Sequence, residues 1–196
     1  PIMNGYFDYA AATPLDERVL KAMQPFFVDD FYNPSAIYSQ SRKAKKTLTV
    51  LRTTAGQIIG ARPSEIIFTC GGSEANNLAI SGFMAKNPAK NLITSAIEHD
   101  SVLKTAQKYN HKICAVDELG RVELADLEKK IDDDTAMISL ILASNEIGVI
   151  QQFSRIKDLI DIVKVDRLKR KVSTPLLLHT DAAQATNYLD LHVSRL

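Results

Sequence analysis

Side chains that can transfer protons or bind a ligand occur directly after apolar segments of this sequence. The clearest case is His-Thr-Asp-Ala-Ala-Gln at 179–184, which follows an apolar run at 175–178. In open α/β sheets, ligands bind in the crevice at the carboxyl ends of the strands. A histidine, a carboxylate and a glutamine at such an end are therefore placed for chemistry rather than for packing. A metal-ligand pair and a capped strand end are the alternatives, but no second carboxylate and histidine cluster supports a metal.

A pair of glycines lies between a predicted strand and a predicted helix, in Cys-Gly-Gly-Ser-Glu at 70–74. Glycines let the backbone approach a ligand closely, and the start of a helix presents unpaired N–H groups to an anion. Ser73 adds a hydroxyl donor. The segment is consistent with a phosphate site and equally with a simple turn. Cys70 is predicted to be a small buried residue rather than a nucleophile.

Two more polar segments follow predicted strands. His99, within Glu-His-Asp-Ser-Val, could be a helix cap, a core residue or a functional imidazole, which offers both a π-face and a titrating nitrogen. The run Ser-Asn-Glu-Ile-Gly-Val-Ile-Gln at 144–151 follows the most apolar strand. It is either an ordinary loop or part of a binding site.

The elements that would position these residues alternate between strand and helix. Apolar runs predict strands, and apolar residues at three- and four-residue steps predict helices. The strands are predicted at 66–69, 91–95, 112–116, 136–143 and 176–180, and the helices at 14–28, 35 or 39 to 59, 73–84, 100–109, 124–131 and 154–170. This alternation predicts an α/β fold of three layers, a mostly parallel sheet flanked by helices.

Composition limits the function classes. The 196 residues are 45% hydrophobic and 24% charged, with a formal net charge of +1, which is typical of a soluble globular protein without a nucleic-acid surface. Two cysteines make no disulfide framework, so a reducing, cytoplasmic location is expected. Residues 1–5 show no signal-peptide pattern, and no apolar run is long enough for a membrane span.

Taken together, the polar segments resemble a known family. Their order and spacing, with Asp-Tyr-Ala-Ala-Ala-Thr-Pro at 8–14 and Asn-Pro-Ser at 33–35, resemble the amino-terminal half of the cysteine desulfurases. These are pyridoxal-phosphate-dependent enzymes of the class V aminotransferase group. The resemblance runs from residue 6 to residue 196. The sequence departs from the family at four positions: Ser73 replaces Thr, Ser144 replaces Asn, Tyr38 replaces His and Ser41 replaces Gly.

The resemblance implies roles for particular residues and a domain division. The fold would be that of the large domain of fold-type I pyridoxal-phosphate enzymes, with residues 1–14 as an amino-terminal segment and 15–196 as an incomplete cofactor-binding domain. The site residues that the resemblance implies are Gly72 and Ser73 at the pyridoxal 5'-phosphate group, His99 stacked on the ring and active in proton transfer, Asn145 near the cofactor and the substrate carboxylate, Asp181 at the pyridine nitrogen, and Gln184 at the phenolic oxygen.

The implied activity is transfer of sulfur from L-cysteine to an enzyme persulfide with release of alanine, which would supply iron–sulfur cluster assembly or thiolation. A homodimer and a sulfur-acceptor protein are the implied partners, with no nucleic acid and no membrane. The family's Schiff-base lysine, loop cysteine and carboxylate-binding arginine match no residue here and are expected after Leu196. The chain, truncated before that lysine, is therefore expected to be inactive alone, to bind the cofactor weakly or not at all, and to self-associate through an uncovered sheet edge.

Other functions are also consistent with the pattern. A selenocysteine lyase or an aminotransferase of the same class would share these segments. A non-catalytic, half-length binding scaffold is a further alternative, although it has no physical need for Asp181, Gln184 and His99. A nucleotide-binding domain is disfavoured because the sequence has no clear Gly-x-Gly-x-x-Gly.

Overall fold

The computed structural model describes residues 5–193 of the chain. The chain divides into two compact units, one ending at Ile67 and one beginning at Phe68. The prediction of a boundary after residue 14 stays a prediction. Residues 1–4 and 194–196 lie outside the described range. They include most of the segment from which the absence of a signal peptide was predicted and the last three residues of the predicted cofactor domain. No helix in the described range is both long and apolar enough to cross a membrane.

The first unit is helical, and its first predicted helix is wrong in detail. Instead of one helix over 14–28, the structure has α1 (Glu17–Met23) and α2 (Pro25–Val28). Pro25 has no N–H to donate and is therefore compatible with a helix start rather than a helix interior. Asp16, not Thr13, caps α1, accepting a hydrogen bond from the N–H of Arg18 at 2.8 Å.

The rest of the first unit contains one long helix and one error of prediction. Helix α3 (Ser39–Ile59) ends at Gly60, whose φ of +67° lies in the left-handed region that glycine adopts readily. A short 3₁₀ helix, Pro63–Glu65, follows. The strand predicted at 66–69 does not form. Residues 66–69 belong to none of the four strands of the described sheet. A strand forms only where its backbone groups pair with a neighbouring strand.

The second unit is a parallel sheet flanked by helices, which confirms the predicted fold class. The sheet has the order β2-β1-β3-β4, and each neighbouring pair is parallel. Its strands are β1 (Asn91–Ser95), β2 (Asn110–Cys114), β3 (Thr135–Ser139) and β4 (Leu177–His179), and its helices are α4 (Gly72–Ala85), α5 (Asp100–Ala106), α6 (Leu124–Lys130) and α7 (Phe153–Lys169).

The three layers follow from alternation along the central strands. Leu92 and Met137 pack on one face of the sheet with core residues of α4 and α5. Their chain neighbours Ile93 and Ile138 pack on the other face with core residues of α6 and α7. Every residue of β1 and β3 is buried, as expected for strands covered on both faces.

The strand order predicts a crevice at the carboxyl ends of the central strands. The chain passes from β1 to one neighbour, β2, and then crosses to the opposite side to form β3. Connections that diverge from two adjacent strands leave space at their carboxyl ends, where ligands of open α/β sheets bind. The segments that follow β1, β3 and β4 contain three of the predicted site residues, His99, Asn145 and Asp181.

Candidate active site

Asp181 lies just beyond the carboxyl end of β4. The hydrogen bond from the N–H of Leu142 to the carbonyl of Asp181, at 2.9 Å, continues the pairing of β3 with β4 past the strands. The Asp181 carboxylate accepts hydrogen bonds from the N–H of Ala183 at 3.0 Å and from Nδ2 of Asn76 at 2.8 Å. Among residues 5–193 it forms no ion pair. A half-buried carboxylate is thus fixed by two donors and has no ion-pair partner within the described part of the chain.

The amino terminus of α4 is an open set of donors beside this carboxylate segment. Gly71 caps the helix without a side chain, and the first N–H that finds an acceptor is that of Ala75, which bonds to the Gly71 carbonyl at 3.1 Å. The N–H groups of the first three helical residues have no partner in the described chain. A Cβ added to Gly71 would meet nothing within 4 Å, and one added to Gly72 would lie 3.9 Å from the Cβ of Ala183. A side chain at either glycine would therefore meet little of the described chain.

His99 is both an exposed side chain and the cap of α5. Its Nδ1 accepts a hydrogen bond from the N–H of Ser101 at 3.1 Å and lies 2.8 Å from the Oγ of the same serine. The sequence left a cap and a functional imidazole open as alternatives. The cap is confirmed, and it orients the ring without burying it.

Asn76 and Ser101 are site residues that the sequence reasoning missed. Asn76, which is buried, donates from Nδ2 both to Asp181 and, at 2.9 Å, to the Oγ of Ser101. A signal was available, because Asn76 shares one buried face of α4 with Ile80 and Met84 at four-residue steps. A polar residue at a core position must find hydrogen-bond partners.

Glu98, immediately before His99, was also missed. It is only 6% exposed, and its Oε1 accepts hydrogen bonds from the Oγ of Ser95 at 2.5 Å and from the N–H of Ile141 at 2.8 Å. These bonds join the segment after β1 to the segment after β3. The other oxygen, Oε2, is buried without a partner among the described residues. Burial raises the pKa of Glu98 from 4.5 to about 7, and the nearby charge of Asp181 acts in the same direction.

The loop that follows β3 forms a short hairpin. Ala143 and Ile150 form an antiparallel bridge, and Asn145 lies in the turn between them, half-buried. Gln151, the last residue of the motif, is buried and supports the backbone: its Oε1 accepts from the N–H of Val122 at 2.9 Å, and its Nε2 donates to the carbonyl of Gly120 at 2.8 Å.

We expect Gln151→Leu to destabilise the chain by about 1–3 kcal/mol, because an N–H and a carbonyl would lose their partners. Gln107→Leu is the matched control, since Gln107, the C-cap residue of α5, is exposed and makes no side-chain hydrogen bond in the described chain. Urea unfolding of both variants measures the difference. Equal midpoints and slopes for the two would contradict a structural role for the buried glutamine.

The contacts bring together some of the predicted residues and not others. Hydrogen bonds connect Asp181 to His99 through Asn76 and Ser101, and Gly72 begins the helix that carries Asn76. In the part of the chain that the structure describes, neither Asn145 nor Gln184 makes a side-chain hydrogen bond. Their predicted roles, and the role of Ser73, stay predictions.

The neighbouring histidine and the cysteines have other roles. Nδ1 of His179 lies 2.8 Å from the Oγ of Ser139, and burial lowers the pKa of His179, which favours a neutral ring that joins β4 to β3. Cys70 is exposed, so the prediction that it is buried was wrong: the strand expected to carry it inward is missing. Burial raises the pKa of Cys114 to about 12, which leaves an unreactive thiol. Residues 5–193 contain no group of three or more side chains placed to hold a metal.

Sequence comparison identifies the family. The sequence pattern described as Aminotransferase class-V matches residues 5–196. A cysteine desulfurase IscS of Clostridium botulinum is 40% identical over 195 residues, which cover 96% of this chain and 46% of that protein. A cysteine desulfurase IscS of Methanosarcina thermophila is 37% identical over 198 residues, with 97% of this chain and 46% of that protein covered. The chain thus spans about half the length of these curated relatives, their amino-terminal half.

Solved structures give the same result for the fold. A structure described as SspA in complex with cysteine has a TM-score of 0.87 and 36% identity, with coverage of 97% of this chain and 54% of that one. The apo structure of a cysteine desulfurase from Thermococcus onnurineus has a TM-score of 0.79 and 27% identity, with coverage of 97% and 47%. The four-stranded sheet with its flanking helices is therefore half of a larger known architecture.

Proposed function

Because this chain belongs to the aminotransferase class-V family, we propose that it forms the amino-terminal part of a pyridoxal-phosphate-dependent cysteine desulfurase. The proposed reaction moves the sulfur of L-cysteine to an enzyme thiol as a persulfide and releases alanine. The curated relatives compared above are cysteine desulfurases at 40% and 37% identity. The same proposal has three further parts. The enzyme supplies sulfur to an acceptor protein, for iron–sulfur clusters or thiolation, forms a homodimer, and is located in the cytoplasm.

One observation carries the proposal: a fixed carboxylate, without an ion-pair partner among residues 5–193, lies near a helix start that has no side-chain cap. Asp181 is held by Asn76 and Ala183, and Asn76 belongs to the first turns of the helix that Gly72 begins. A ligand that carries a positive ring nitrogen at one end and a phosphate at the other would satisfy both features. Pyridoxal 5'-phosphate has these two charges.

The residues present fit that cofactor. The unpartnered N–H groups at the start of α4 would receive the phosphate, with Ser73 as a further donor, because such helix ends bind anions. Asp181 would pair with the ring nitrogen and keep it protonated, and His99 would lie against the ring. When bound, the group serves as an electron sink for the carbon next to the substrate amine. Asn145 and Gln184 are proposed contacts to the substrate carboxylate and to the phenolic oxygen.

The test is formation of alanine and persulfide from L-cysteine by the protein expressed from its native gene, with added pyridoxal phosphate. Asp181→Asn should weaken cofactor binding about 10- to 100-fold, since hydrogen bonds to charged groups contribute about 1.5–3 kcal/mol. Asp158→Asn is the control, because Asp158 is an exposed carboxylate on α7 that forms no ion pair in the described chain. The 196 residues by themselves are expected to bind the cofactor weakly and to release no sulfide.

Two results would count against the proposal. If the protein is saturated with cofactor and still produces no alanine from L-cysteine, the desulfurase reaction is excluded and another class V activity is favoured. Equal cofactor binding by the Asp181 and Asp158 variants would show that the carboxylate does not contact the ring.

A further inference from the structure

The hydrogen bonds around Asn76 have a defined direction. The carboxylate of Asp181 can only accept, so the group of Asn76 that faces it must be the amide nitrogen. That nitrogen has two hydrogens, and the second points to the Oγ of Ser101 at 2.9 Å. Ser101 Oγ is therefore an acceptor in this contact.

The serine passes this direction on to His99. A hydroxyl has one hydrogen, and since its oxygen accepts from Asn76, the hydrogen is free to point at Nδ1 of His99, 2.8 Å away. The backbone N–H of Ser101 also points at Nδ1, at 3.1 Å. An unprotonated imidazole nitrogen can accept, whereas a protonated one cannot, so the backbone N–H aimed at Nδ1 requires that Nδ1 carry no proton, and the hydroxyl can then act as a second donor.

We infer that Ser101, oriented by Asn76, is a positioning residue that holds His99 as the neutral tautomer with its proton on Nε2. His99 then presents a flat ring face and an Nε2–H donor. Its one nitrogen lone pair, at Nδ1, accepts from the N–H and the hydroxyl of Ser101. In the proposed enzyme, on which this functional reading rests, His99 would act as a stacking partner and hydrogen-bond donor rather than as a base. The same Asn76 amide that orients Ser101 also fixes Asp181, so one side chain positions both the carboxylate and, through Ser101, the imidazole.

The tautomer can be measured without cofactor or turnover. Side-chain ¹H–¹⁵N correlation spectra of the chain labelled at histidine distinguish protonated from unprotonated ring nitrogens at about pH 8, above the ordinary range of imidazole titration. We expect His99 to show an unprotonated Nδ1 and a protonated Nε2. In Ser101→Ala the ratio of the two tautomers should shift by about fivefold toward Nδ1–H, the effect of losing one ordinary hydrogen bond.

Three variants complete the test. Ser101→Thr keeps the hydroxyl and should restore the original spectrum. Asn76→Leu should shift the ratio in the same direction as the alanine variant, by less, because the hydroxyl can then rotate away from His99. Ser154→Ala, an exposed serine of α7 without a side-chain hydrogen bond in the described chain, should change nothing.

The inference is overturned if the unmodified chain carries the proton on Nδ1, or if Ser101→Ala leaves the tautomer ratio unchanged. An unchanged ratio in Asn76→Leu would remove Asn76 from the assignment. Because the spectra need no cofactor, their outcome is separate from that of the proposed function: the tautomer can be as inferred in a protein that binds no pyridoxal phosphate.

Discussion

We expect Glu98→Gln to abolish a pH-dependent loss of stability: the unmodified chain should lose about 3 kcal/mol as the pH rises from about 4.5 to about 7, and the variant should not. Burial raises the pKa of Glu98 from 4.5 to about 7, against the opposing effect of the hydrogen bonds from Ser95 and Ile141. In the unfolded chain the carboxyl ionises near its ordinary value. The folded state therefore holds the proton more tightly over this interval.

The direction of the effect follows from proton binding. The contribution of Glu98 to stability is fully present below about pH 4.5 and is lost as the pH rises through about 7, where the folded carboxyl ionises in a buried site. Each pH unit across this interval is worth about 1.4 kcal/mol. Glutamine cannot ionise, so its variant should show a constant cost, from a poorly paired amide, instead of a pH-dependent one.

Urea unfolding at a series of pH values measures this difference. Glu128→Gln is the control, because Glu128 is an exposed carboxylate on α6 without an ion pair in the described chain, and its profile should follow that of the unmodified protein. Parallel profiles for Glu98→Gln and the unmodified chain would mean that Glu98 titrates as an ordinary surface acid.

Replacing Arg167 by leucine is expected to reduce the free energy of unfolding by about 3 kcal/mol. Arg167 of α7 is 3% exposed, and its guanidinium donates to the carbonyls of Asp132 at 2.6 Å, Thr135 at 2.8 Å and Thr174 at 3.3 Å. These carbonyls lie before and at the start of β3 and before β4. Leucine would leave these carbonyls without the guanidinium donors. Removal of a buried charge would offset part of that cost, because burying a charge is unfavourable. The same unfavourable burial lowers the pKa of the Arg167 guanidinium.

Two further variants separate geometry from charge. Arg167→Lys keeps a charge but has a single nitrogen, so we expect a loss of stability comparable with that of the leucine variant rather than rescue. Arg155→Leu, an exposed arginine on the same helix with one contact to Gln152 at 3.0 Å, should change stability by less than about 0.5 kcal/mol. If Arg167→Leu were as stable as Arg155→Leu, the three carbonyl bonds would contribute nothing net.

The sequence predicted those site features that depend on position along the chain. Asp181 and His99 were found because polar residues after apolar runs lie at strand ends, and Gly72 because a glycine pair before a helix leaves its N–H groups free. The family resemblance then supplied their roles. None of this required knowledge of which strands are neighbours.

The features that were missed depend on pairing between distant segments. Glu98 joins the ends of β1 and β3, and this is visible only once the strand order is known. Asn76 contacts Asp181 across 105 positions of sequence. The strand predicted at 66–69 failed for a related reason, since local β-propensity predicts an extended segment but cannot supply the partner that makes it a strand.

The short length of β4 has a consequence for how the site can be lost. β4 has only three residues and in the described chain pairs only with β3, yet it holds Asp181 in place. Local opening reactions that release a short, weakly paired element cost less than global unfolding. Detachment of β4 would separate Asp181 from Asn76 while the fully buried β1 and β3 remain intact. A ligand that bridges Asp181 and the start of α4 would stabilise the closed form by mass action, so ligand occupancy and amide-exchange protection of β4 are thermodynamically linked.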